Sequence, residues 1–226
     1  MTAQPIHRGT PTTGTRCDRR TAVTRSLLGY GLVAGPFYLV VSLAQALTRP
    51  GFDLTRHSWS LLANGALGWI QIANLALTGL MVAAFALGVR RATGTVWAPR
   101  LLAGTGVALV CAAALRADPS DGFPVGTPAG PGPVSWHGAG HLLAAGSGFA
   151  CLAGAALVLA ARFAAAGRGG LAWYARVSAI VFLAGFAAVA AGGGASWSIL
   201  CFTAAVVVIF TWLTVTAGYL YRHAGR

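Results

Sequence analysis

The feature that most constrains this chain is a series of long apolar runs whose interiors hold no Asp, Glu, Lys or Arg. They extend from Leu27 to Leu47, Leu67 to Val89, Pro99 to Ala117, His137 to Ala161, from near Arg176 to Ala191, and from Trp197 to Leu220. About 20 apolar residues suffice for a helix to cross the hydrocarbon core of a bilayer. Inside lipid every backbone N–H and C=O must be paired within the protein, which favours helices for segments of this length. The expected fold is therefore all-α: a polytopic bundle of six transmembrane helices occupying residues 26–221, with tails at 1–25 and 222–226.

Hydrophobic residues make up 56% of the chain and charged residues 9%, which excludes an ordinary soluble domain. The formal charge of +12 does not indicate nucleic acid, because all sixteen basic residues are arginines scattered between apolar runs. Their distribution instead predicts sidedness. Thirteen flank the runs on one side, in the N-terminal tail, the two connections around Arg90 to Arg100 and Arg162 to Arg176, and the C-terminal end; three (Arg49, Arg56 and Arg116) lie on the other. The positive-inside rule then places both termini in the cytoplasm of a cell-membrane protein. Trp59, Trp69, Trp136 and Trp197 fall near the expected outer boundaries, and Trp97 and Trp173 near the inner ones.

Residues 1–25 are polar and rich in Thr, Pro and Arg, so they are expected to form a disordered tail. Ala44-Gln45-Ala46 resembles a signal-peptidase site, but the run before it is long enough to span and is read as a retained helix. Gly104, Gly106, Gly140, Gly146, Gly148 and Gly185 should let helices approach closely. Cys111, Cys151 and Cys201 have no metal-type spacing and are read as small packing residues. Trp97-Ala-Pro-Arg100 and Trp173-Tyr-Ala-Arg176 are either traces of repeated hairpins or ordinary interfacial anchors.

Candidate chemistry concentrates on the outer side. The first outer connection holds Asp53, Arg56, His57, Ser58 and Ser60; the second runs from Asp118 into His137 and His141, four apart on one helix. Gln71 and Asn74 start the second span. The words RPGFD, RH-x-x-S, GW-x-Q-x-AN, ADP, GFP-x-GTP and SWHG-x-x-H occur in this order. In this the chain resembles the bacterial and archaeal membrane family catalogued as domain of unknown function 998, over about Leu28 to Tyr219. The resemblance implies a six-span integral membrane protein and no particular activity.

Two functional readings follow. In the first, His57, His137 and His141 supply three nitrogens to a zinc ion, leaving a position for water, with Asp118 as base and Ser60 nearby in a metal-dependent hydrolase. A looser similarity to alkaline ceramidases and progestin-receptor-like proteins, which combine Ser, Asp and His in a helical membrane bundle, points the same way. In the second, the outer polar residues recognise a lipid, a small solute or a partner protein without chemistry. Beside both stands a purely architectural role, in which Asp53 pairs with Arg56, Asp118 caps a turn, and Gln71 and Asn74 bond between spans.

Overall fold

The computed structural model describes residues 14–225, with side chains from Arg19 onward. Its helices are α1 (Gly14–Thr48), α2 (Gly68–Thr93), α3 (Trp97–Ala114), α4 (Trp136–Ala165), α5 (Gly169–Gly192) and α6 (Ser196–His223), with a 3-10 helix at Trp59–Ala63. All six α-helices are long and apolar enough to cross a membrane, and no strand occurs among the described residues. The fold class is a six-helix membrane bundle, as expected.

Two boundaries differ from expectation. α1 begins at Gly14, so residues 14–25 are helical rather than part of a disordered tail; residues 1–13 lie outside the described residues. The added turns gain tertiary partners: Arg25 donates to the Ala224 carbonyl, and Thr24 is buried and accepts from Arg91 Nε. At the other end of the bundle, α3 stops at Ala114 instead of Ala117. Pro99 is its third residue, where the missing N–H would have had no intrahelical partner anyway. α2 closes on Gly94, whose φ of 68° suits the left-handed helix cap.

The helices form a closed ring in chain order, each antiparallel to its neighbours, with α1 completing the circle against α6. Glycines sit where backbones come nearest. A Cβ on Gly79 would stand 2.6 Å from the Gly106 carbonyl oxygen, and one on Gly106 equally close to that of Gly79, so α2 and α3 cross on a pair of bare backbones. Gly148 lies against Ala108, Gly185 against Ala205, and Gly35 against Thr214. Small residues thus supply the packing that no hydrophobic effect drives inside lipid. Cys111 and Cys201 are exposed on the perimeter, not packed between helices as expected.

One end of the ring carries the short 94–96 and 166–168 connections, both described chain ends and most of the arginines. The opposite end carries the long connections 49–67 and 115–135, which fold together into a cap. Trp59 is buried within that cap, unlike Trp69, Trp136 and Trp197, which are exposed at the perimeter as interfacial anchors should be. Trp97 and Trp173 are exposed in the same way at the arginine-rich end, and Arg100 lies over the Trp97 ring.

Candidate functional site

The cap is held by three residues of the first connection that reach the second or brace the 3-10 helix. Asp53 makes a turn, its carboxylate accepting from both the backbone N–H and the hydroxyl of Thr55 at 2.8 Å. Those bonds, the backbone one foremost, hold the Asp53 carboxyl below its ordinary range; the nearby Arg56 charge adds less. Asp53 and Arg56 are therefore neighbours in a turn, and no ion pair between them organises it. The Asp53 N–H donates to His57 Nδ1 at 2.9 Å, which leaves the proton of the neutral ring on Nε2, and Nε2 donates to the Asp121 carbonyl. His57 is 2% exposed, between the rings of Phe52 and Phe123.

Arg49 does comparable work immediately after the end of α1. Its guanidinium donates to the Leu62 and Asn64 carbonyls, which close the 3-10 helix, and lies over the Phe123 ring. Asn64 in turn donates to the Ala117 carbonyl. Phe123 is thus the hub, touched by Phe52, His57 and Arg49 and 1% exposed.

Asp118 serves α4. Its carboxylate accepts from the Ser135 hydroxyl at 2.5 Å and the Ser135 N–H at 2.8 Å, while the same hydroxyl accepts from the Gly138 N–H as the N-cap. A negative charge is thereby held at the positive end of α4. The Ser135 hydroxyl is the main cause of the lowered Asp118 pKa. A Cβ on Gly138 would run into that carboxylate, so the glycine of SWHG belongs to the same arrangement. Both carboxylate oxygens are committed to the cap of the helix.

His137 and His141 part company despite their spacing. His137 is exposed, its ring tilted 30° against that of Trp136. His141 is 4% exposed and places Nδ1 2.7 Å from the Leu115 carbonyl oxygen and 3.0 Å from that of Ala112. It thereby satisfies carbonyls left open by the last turn of α3. The expected three-His zinc site is not assembled: His57 has both nitrogens engaged, His141 one, and His137 stands exposed beside Trp136. Among the described residues no group of three His, Cys, Asp or Glu is placed to hold a metal ion.

Gln71 and Asn74 do what the architectural reading expected, and with more partners. Gln71 Oε1 accepts from Gln45 Nε2 at 2.8 Å and Asn74 Nδ2 at 3.1 Å, and Gln71 Nε2 donates to Ser42 Oγ at 3.2 Å. Asn74 also donates to Ser42 and to the Tyr38 carbonyl. Gln45, read in sequence as part of a cleavage-like word, is a buried strut of the α1–α2 interface. The pattern was present in the sequence: polar residues three or four apart, at Ser42 and Gln45 in one apolar run and Gln71, Asn74 and Thr78 in the next.

Beneath the cap the ring encloses a cavity of about 140 Å³. Trp59 and the two serines beside it, Ser58 and Ser60, form its roof, and His141 lies on the α4 wall. The Ser58 and Ser60 hydroxyls pair with each other at 3.0 Å. Deeper in, Tyr38 and Thr105 line the cavity together with the rings of Phe149, Phe186, Phe202 and Phe210. The lining also includes Leu142, which is 64% exposed, and Phe186 is exposed too, so the cavity reaches the perimeter between α4 and α5. Of the residues marked out in sequence, Ser58, Ser60 and His141 line this cavity; Asp53, Arg56, His57, Gln71, Asn74, Asp118 and His137 do not. Tyr38 and Thr105 carry no signal in the sequence because aromatic and hydroxyl residues are unremarkable in a membrane helix, and Trp59 reads there only as a boundary residue.

A family model described as a protein of unknown function, DUF998, matches residues 32–219. The chain belongs to that family. The match spans α1 to α6, so the DUF998 region contains the whole cap and the whole cavity. Neither the curated proteins nor the solved structures contain a match to this chain.

Proposed function

We propose that this DUF998 protein is a non-enzymatic membrane component that binds an apolar or amphiphilic small molecule, taken from the bilayer, in the cavity beneath Trp59. The observation that carries this reading is the lining: four phenylalanine rings, no Asp, Glu, Lys or Arg, and a few polar side chains, Ser58, Trp59, Ser60 and His141 among them. Sites for small molecules are commonly concave, mostly apolar and equipped with a few polar groups that fix orientation. An apolar cavity of roughly 150 Å³ is large enough to admit benzene. The side opening past Leu142 and Phe186 offers an entry from lipid rather than from water.

In the same reading the arginine-rich end faces the cytoplasm with both termini, and the capped end faces the exterior of a cell membrane, because thirteen of sixteen arginines flank the former. The cavity then belongs to the outer half of the bilayer. A metal-dependent hydrolase has less support, since His57, His141 and Asp118 are occupied in holding the cap and helix ends together.

The test is retention of a ligand. Full-length protein purified in mild detergent should carry a small amphiphile visible in native mass spectra, and Ala145→Trp, which fills the cavity from α4, should lose it. Equal retention by the filled variant would place the bound molecule elsewhere and remove the reading.

A further inference from the structure

Resting on the cavity-binding reading, we propose that the occupant is an uncharged amphiphile whose polar end is a hydroxyl, recognised by His141 and Trp59. The cavity lining contains no Asp, Glu, Lys or Arg. A phosphate, carboxylate or ammonium head would therefore sit without a counter-charge in a place of low dielectric, at a steep cost.

Two polar groups of the lining are complementary. His141 Nδ1 lies against two carbonyl oxygens, which only accept, so Nδ1 carries the proton. Nε2 of the neutral ring is then an acceptor, and among the described residues it has no partner. Trp59 has the opposite need. Its indole N–H can only donate, and it is buried without a partner. The serines beside it are already paired with each other.

A hydroxyl is the smallest group that both donates and accepts. It can give its proton to His141 Nε2 and receive the Trp59 N–H; an ether or ester oxygen can meet only Trp59, and a hydrocarbon neither. Sites built to hydrogen-bond a hydroxyl discriminate strongly against analogues lacking it, because their own buried groups are then left unpaired. The chain of such an alcohol would run past Phe149 and Phe202 and leave between α4 and α5 into lipid.

The experiment uses full-length protein in phosphatidylcholine nanodiscs and three photoreactive probes with the same diazirine-bearing decyl chain: the primary alcohol, its methyl ether and the corresponding carboxylic acid. The alcohol should label the α4 and α6 lining saturably, at a concentration roughly tenfold lower than the other two, as expected for one well-made buried hydrogen bond. Trp59→Phe removes only the N–H. His141→Asn keeps a donor near the position of Nδ1, and with it the α3 contact, while removing the Nε2 acceptor. His141→Asn should weaken alcohol labelling several-fold and leave ether labelling unchanged, whereas Trp59→Phe should weaken both, since the ether oxygen also accepts from that N–H; if His141→Asn does not fold, the parent's preference for the alcohol over the ether, together with weakened labelling by both probes in Trp59→Phe, decides. Equal labelling by all three probes, or variants indistinguishable from the parent, would overturn the hydroxyl proposal while the cavity reading stood. Absence of saturable labelling by any probe would remove both.

Discussion

The ring of His57 bridges two loops sixty-four residues apart in sequence, with Nε2 3.0 Å from the carbonyl oxygen of Asp121 and Nδ1 2.9 Å from the backbone nitrogen of Asp53. A histidine that appeared in sequence as a metal ligand is instead a rivet. His57→Ala should leave a buried carbonyl and a backbone N–H unpaired and open a hole beside Phe123, at a cost of about 2–4 kcal/mol. Thermal unfolding in detergent should show a clearly lowered midpoint, with the cap becoming susceptible to protease before the helices. An unchanged midpoint would mean that the cap contributes nothing to stability.

Asp118 gives a pH dependence whose sign follows from its cap. Its folded pKa is depressed, chiefly by the Ser135 hydroxyl, so its contribution is present above the unfolded carboxyl value of about 4 and is lost as pH falls through the lower folded value. Stability should therefore decline on acidification below about pH 4, and Asp118→Asn should flatten part of that decline. Asp53, depressed by Thr55, works in the same direction and supplies some of the remainder. At neutral pH, Ser135→Ala should cost about 1 kcal/mol as the loss of an N-cap, and Asp118→Asn less than that. A Ser135→Ala protein with parental stability and acid response would contradict this account.

The fold was legible because lipid imposes one simple rule. A run of about 20 apolar residues has few structural choices, so helix number and order followed from hydropathy alone. The site was less legible because its key relations join distant segments. Nothing near His141 announces that it faces the end of α3, whereas the spacing from His137 advertises a shared metal. Asp118 looked catalytic because it stands out in an apolar chain; the same scarcity makes it the available anion for the start of α4. Arg49 and Phe123 lay inside the words RPGFD and GFP, but their meeting depends on two loops folding over one bundle end.

The amide network between α1 and α2 offers a test of interior packing. Gln71→Leu would strand Gln45, Ser42 and Asn74, each bonded to it. Interhelical hydrogen bonds in membranes contribute about 0.6 kcal/mol each on average, so the loss should be about 1–2 kcal/mol. Gln71→Leu combined with Gln45→Leu should recover part of it, because the Gln45 amide is then no longer left unpaired. A double variant as unstable as the sum of its parts would show that the two amides act independently.

Sidedness can be read without a structure. A reporter fused after Arg226 should signal from the cytoplasm, and one inserted between Pro128 and Pro133, in the second cap loop, should signal from the exterior. The reverse pair of signals would invert the proposed orientation and place the cavity in the inner leaflet.

The central claim, that the cavity beneath Trp59 receives a molecule from the bilayer, is tested most directly by a high-resolution density map of the full-length protein in a lipid nanodisc. The account predicts elongated non-protein density that begins between Trp59 and His141, follows Phe149 and Phe202, and emerges between α4 and α5 beside Leu142. A cavity closed by inward movement of those phenylalanine rings, with α4 and α5 sealed against each other, would contradict it.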